Sequence, residues 1–182
     1  MKAAIFSLLL ISKLIFSLTS YAGEVHCGAT AFQLPKVDYF ISLPGFQEVE
    51  RSDSLITLTQ LTEPYINLTI RAMPADKDLH IVTYNDLIAE ELKNHCIETF
   101  HWQLKEQVSS FITIEASGES LYMIKQAWQT GLSSDIGLTI FVLESRGKMY
   151  SICMTIKINS ENWDTWDSFL NDICKRIQAS GR

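Results

Sequence analysis

Four cysteines, Cys27, Cys96, Cys153 and Cys174, are the residues of this chain best equipped for chemistry, and two of them directly follow a histidine, in His26-Cys27 and His95-Cys96. Three chemistries are open to such a set. Two Cys–His pairs could hold zinc as a Cys2His2 site. A thiol beside an imidazole could act as a nucleophile. Paired thiols could close two disulfides. Spacing argues against zinc. Structural zinc ligands usually sit two to four residues apart, and neighbours on a helix point about 100° apart. An even cysteine count in an exported chain favours disulfides, and a disulfide consumes the thiol that a nucleophile needs. Four cysteines allow three pairings, and the sequence does not choose among them. The expected pairs are Cys153–Cys174, a late strand position and the helix after it, and Cys27–Cys96, the N-terminal segment and the end of the first helix. Each closed loop would stabilise the fold by roughly 3–4 kcal/mol in the chain-entropy model.

The other reactive residue types are dispersed. There is no Gly-x-Ser-x-Gly, no glycine-rich phosphate loop and no His-Glu-x-x-His. Glu98, Glu106 and Glu115 are scattered as on a solvated face, and His80 and His101 flank a predicted helix without an evident partner. Asn67-Leu68-Thr69 fits the glycosylation sequon but falls within a predicted strand, so it reads as a chance match. No catalytic, cofactor-binding or metal-binding residue is assigned, and no cofactor is implied.

The elements that position these residues begin after an export signal. Lys2 supplies a positive start, Ala3 to Leu18 an apolar run broken only by Lys13, and Ser20-Tyr21-Ala22 the small residues of a cleavage site before Gly23. The run is too short and too charged for a spanning anchor, which needs about 20 apolar residues. Residues 1–22 are read as a cleaved signal peptide and 23–182 as one α+β domain. That places the mature protein in the periplasm or medium of a bacterium, with no stable membrane insertion. With 15 basic and 21 acidic residues the chain carries −6, and losing Lys2 and Lys13 makes it more acidic still. An acidic surface argues against nucleic acid and anionic lipid as partners.

Strand signals dominate the first third. Val37–Leu43 closes on Pro44-Gly45, Leu55–Thr59 is β-branched, and Tyr65–Ile70 alternates. Met73-Pro74-Ala75-Asp76 reads as a loop. The period then changes to three and four at Tyr84, Leu87, Ile88, Leu92 and Cys96, a helix of roughly four turns capped by Thr83. Strand patterns return from Trp102, with Phe111–Glu115, Leu121–Gln129, Leu138–Leu143 and Met149–Ile158 joined by hairpin turns at 117–120 and 145–148. A last helix follows, capped by Asn159 or Ser160, with Trp163, Trp166, Phe169, Leu170, Ile173 and Ile177 as one apolar stripe. Strands, helix, strands, helix describe an antiparallel twisted sheet with two helices packed on it.

This order resembles that of the PsbP/Mog1-type α/β/α sandwich proteins, including the DcrB-like bacterial proteins. The resemblance runs over Leu43-Pro44-Gly45-Phe46, the strand pair 55–61 and 65–73, the helix from near Thr83, the meander Phe111–Ile158 and the helix from Glu161. It rests on element order, so it carries no functional residue across. It implies an accessory or binding module that acts on protein partners. The expected function is therefore an exported, non-enzymatic binding protein, of unknown oligomeric state, with a protein partner in the periplasm or outside the cell. The alternative is a secreted degradative enzyme, a hydrolase of an unrecognised family.

Overall fold

The alternation of apolar and polar residues along Met149–Ile158 is the clearest strand pattern in the chain, and the strand it forms lies at the centre of the molecule. The computed structural model describes residues 31–60, 62, 66–75, 80–131, 135–158 and 163–179. The strands are β1 (Ala31–Gln33), β2 (Tyr39–Ser42), β3 (Phe46–Ser52), β4 (Leu55–Gln60), β5 (Asn67–Pro74), β6 (Gln103–Thr113), β7 (Ser120–Gln129), β8 (Asp135–Ser145), β9 (Lys148–Ile158) and β10 (Ile177–Ala179). The helices are α1 (Ile81–Phe100) and α2 (Trp163–Lys175). Seven strands make one antiparallel sheet in the order β3-β4-β5-β9-β8-β7-β6, and β1-β2-β10 make a small second sheet.

Side chains alternate across a strand, so β9 feeds two cores. Ile152, Met154 and Ile156 face α2 and the small sheet, where they pack with Ile41, Leu58, Leu68, Ile70, Trp166, Leu170 and Ile173. Cys153 faces α1, among Ile88, Leu92, Cys96, Trp128 and Ile140. Each fully buried aliphatic contributes about 1.5–3 kcal/mol, so these two layers dominate the stability of the fold. The result is the expected α/β/α sandwich: α1 on one face of the sheet, and α2 with the small sheet on the other.

Several elements depart from the sequence reading for local reasons. The stretch read as a loop at Met73-Pro74 is the end of β5, where Pro74 stands opposite Tyr150. A proline is tolerated at a strand end because no further ladder bond is required of it. The α1 helix begins two residues before Thr83, with His80 in extended geometry as the N-cap and no side-chain cap bond. Its buried face is Asn85, Ile88, Ala89, Leu92, His95 and Cys96, while Leu87 is 47% exposed. The stripe is rotated because Asn85 is held at the sheet, its Nδ2 donating to the Tyr122 carbonyl at 3.1 Å. β3, whose sequence is mostly polar, is a strand that the sequence reading did not contain, and Ile177 belongs to β10 rather than to α2. The proposed N-cap residues of α2 fall outside the described residues. The β8–β9 turn does match: Arg146 (φ 54°) and Gly147 (φ 71°) both take the left-handed conformation that a tight type I′ hairpin requires.

Strand parity also corrects the cysteine assignment. Cys153 and Cys174 lie on opposite faces of the sheet, one in the α1 core and the other in the α2 core. Cys96, Cys153 and Cys174 all carry free, buried thiols, so Cys153–Cys174 is not a disulfide of this structure. The expected pair fails because α2 packs on the face of β9 that carries Met154, the one opposite to Cys153. Cys27, and with it the expected Cys27–Cys96 link, lies outside the described residues.

Candidate binding edge

Buried thiols make poor nucleophiles, and the three described cysteines are all deeply placed. Burial pushes each thiol up to about 12; for Cys96 the nearby Cys153 adds to the effect, while Lys125 works against it at Cys174. At neutral pH all three are protonated and packed as small apolar groups. His95 is buried beside Cys96, its Nδ1 3.1 Å from Thr99 Oγ1 and its ring edge-on to Phe100. His80 and His101 are exposed at the two ends of α1. Among the described residues no three His, Cys, Asp or Glu side chains gather as a metal-binding group. In the sequon, Asn67 accepts from Thr59 Oγ1 at 2.7 Å, and Thr69 is fully buried within the sheet.

The structure concentrates exposed apolar surface elsewhere. β6 is an outer strand of eleven residues, and β7 is its only hydrogen-bonded partner among the described strands. Phe111 is 66% exposed on the α1 side, its ring 5.0 Å from that of Tyr122. The Tyr122 hydroxyl in turn donates to Asp86 Oδ1 at 2.9 Å, and desolvation together with that carboxylate raises the phenol above its ordinary value. Val108, on the α2 side, is 38% exposed. A bulge between Leu104 and Glu106 leaves Lys105 as the extra residue, and Lys105 reaches back to Asp135 at 3.4 Å.

Beside Val108 a groove of about 450 Å³ opens between β6–β7 and α2, lined by Glu106, Val108, Lys125, Trp166, Asp167 and Leu170 among others. Lys125 is buried, and its charge is met by Asp167 and by Asn171 Oδ1 at 3.1 Å. Asn171 Nδ2 closes the triangle onto Asp167 at 3.1 Å. A buried ammonium is tolerated when it is paired and hydrogen-bonded in this way. Trp166, at 8% exposure, forms one wall, with its ring edge-on to Phe169. Its indole N–H has no acceptor among the described residues, nor do the buried hydroxyls of Ser110 and Thr139 on the same face of the sheet. Glu106 is exposed and has no ion-pair partner among the described residues.

Gln126 fixes β7 from the other face: its Nε2 donates to the Ala89 carbonyl at 3.0 Å and to Gln107 Oε1 at 2.8 Å, and its Oε1 accepts from Trp128 at 3.2 Å. A second polar stripe crosses β4, β5 and β9, where Thr57, Thr69, Arg71, Ser151 and Thr155 are all buried. Thr57 Oγ1 lies 3.4 Å from Glu50 Oε2 and 3.5 Å from Thr69 Oγ1, and burial lowers the Arg71 guanidinium. Sequence reasoning missed both the β6 edge and the groove. The signal that was present is the uncharged run Gln107–Thr113, which could have been read as a strand with nothing guarding its outer side.

No family model matches the chain, and a comparison with curated proteins finds no match. Solved structures do match in fold. Cyanobacterial PsbP (CyanoP) from Synechocystis sp. PCC 6803 superposes with a TM-score of 0.57 at 15% identity, over 90% of this chain and 99% of that one. The Ran-binding protein Mog1p of Saccharomyces cerevisiae gives 0.50 at 8% identity, over 84% and 97%. A point mutant of Mog1 gives 0.52 at 7% identity over the same shares. The fold is thus of the PsbP/Mog1 type, as element order implied.

Proposed function

We propose that this chain is an exported, non-enzymatic binding protein whose partner is another protein of the bacterial envelope or extracellular space. Export rests on residues 1–22, with the mature protein, a single domain, starting at Gly23. The observation that carries the binding role is the β6 edge, a long strand with no partner on its outer side among the described residues and with the exposed apolar residues Val108 and Phe111. Such edges invite another chain to pair, and soluble proteins usually protect them. Mog1p is described as a Ran-binding protein, so a protein-binding role on this fold has a precedent. Among the described residues no helix is long and apolar enough to cross a membrane.

A photo-crosslinking side chain at Phe111, compared with one at exposed Asn94 on α1, tests this in the producing cells. The expected result is one cross-linked protein from position 111, absent from position 94, and direct binding once that protein is purified. Equal labelling from both positions, or none from 111, would overturn the binding role. Intact mass of the recovered protein checks the start at Gly23, and retention of Met1 would overturn export with cleavage.

A further inference from the structure

We infer that the partner docks by adding an extended segment to β6 as an eighth strand, and that this segment lays a lysine or arginine beside Glu106 in the groove. The inference rests on the protein-binding role proposed above and names its mode and chemistry. Three observations carry it.

The first is the edge itself. Residues Gln107 to Thr113 contain no charge and no proline, so nothing along this run opposes a new strand. Seven residues at about 3.3 Å each give roughly 23 Å of backbone for main-chain pairing. The bulge at Lys105 sits at one end only, so pairing runs as far as Glu106 and stops there.

The second is charge. The groove presents the carboxylates of Glu106 and Asp167 against a single ammonium, Lys125, which already pairs with Asp167. Glu106 is left over, in a chain of net −6. Strand alternation puts the side chains opposite Glu106, Val108 and Ser110 on the groove side of an added strand. A cation is the complement at the Glu106 position and a β-branched residue at the Val108 position. A second copy of this chain would bring its own acidic surface to the same place, which disfavours self-pairing.

The third is Trp166. It is more than nine-tenths buried, it lines the groove, and its indole N–H lacks an acceptor among the described residues. A buried donor without a partner is costly, and it leaves this wall of the groove with an unmet polar group.

The test uses the mature protein and two peptides carrying fluorescein on the N-terminal amine, Val-Thr-Val-Thr-Lys-Thr-amide and the same peptide with glutamate for lysine. Anisotropy at low salt should show the lysine peptide binding about tenfold more tightly, since like charges at a contact are penalised. Glu106→Lys should reverse that preference without moving the melting temperature, and proline in place of the central valine should abolish binding. Equal binding of the two peptides, or an unchanged preference in Glu106→Lys, overturns the inference. So does a protein that sediments as a dimer and becomes monomeric in Val108→Lys, because the edge is then taken by a second copy. If neither peptide binds at about millimolar concentration while the cross-linked partner from position 111 still binds Glu106→Lys with full affinity, strand addition falls and the protein-binding role stands. If position 111 captures nothing, the role itself falls.

Discussion

The two outer strands of the large sheet, β3 and β6, are each bulged and each paired on one side, yet they are guarded differently. β3 carries Glu48, Glu50 and Arg51 within seven residues. Arg51 pairs with Glu48 at 2.8 Å and also donates to the Gln33 carbonyl of β1 at 3.2 and 3.3 Å, so one side chain both charges the edge and ties it to the small sheet. β6 has its charges at one end and then seven uncharged residues, with Val108 and Phe111 exposed among them. The contrast shows that this fold has the means to close an edge and applies them on one side only. The other edge, unpaired on its outer side among the described residues, is then a feature to explain, and the strand addition proposed above would explain it.

The largest effects should come from what backs the two edges. Phe46 on β3 is buried and stacked on Phe169 of α2, whereas Phe111 on β6 is exposed. Phe46→Ala should cost about 3–5 kcal/mol, as large-to-small changes in a core do, and Trp166→Ala a similar amount. Phe111→Ser should stay within about 0.5 kcal/mol, the usual range for a surface change. Chemical denaturation of the three variants, with exposed Asn94→Ala as reference, measures this. A Phe111→Ser loss as large as that of Phe46→Ala would mean β6 is no open edge.

Charge at the edges is the next lever. Replacing both Glu48 and Arg51 by valine should change stability by no more than about 1 kcal/mol, since exposed ion pairs contribute little. It should nonetheless make the protein self-associate, because it strips the guard from β3. Sedimentation velocity decides, and a variant that stays monomeric would show that charge is not what closes β3.

The smallest effect separates the two faces of the sheet. Cys96 and Cys153 under α1, and Cys174 under α2, should all resist a thiol reagent at about pH 8, below the ordinary thiol value, in the native state and react on unfolding. Their folded values lie above the ordinary value of 9.0, near 12, so the neutral thiol is favoured by folding. The stability tied to that preference is fully present below about pH 9 and is lost as pH rises toward about 12. Cys174→Ala should flatten the alkaline loss, and an unchanged alkaline profile would contradict the deep placement of this thiol.

The sequence revealed the layers of this fold better than its edges. Period-two runs such as Tyr150, Ile152, Met154 and Ile156, and the stripe Trp166, Phe169, Leu170 and Ile173, are legible because burial imposes a pattern on both sides of a contact. β3 escaped because an outer strand needs few apolar residues, and its partner β4 carries the pattern for both. The groove escaped for another reason. Lys125 and Asp167 are 42 residues apart, and nothing in either segment announces the other. The cysteine pairing failed on a single step of strand parity, which places Cys153 and Met154 in different cores.

The small sheet has an order of arrival. β2 lies at its centre, with β1 on one side and β10 on the other, so Ile41 near the start of the described chain faces Ile177 near its end. A chain made or translocated from its N-terminus therefore delivers the closing strand of that sheet last. Until it arrives, β2 has one open side and the core around Ile41 lacks Ile177 and the helix before it. The architecture thus leaves the core around Ile41 open until the last of the described elements, α2 and β10, have folded onto it.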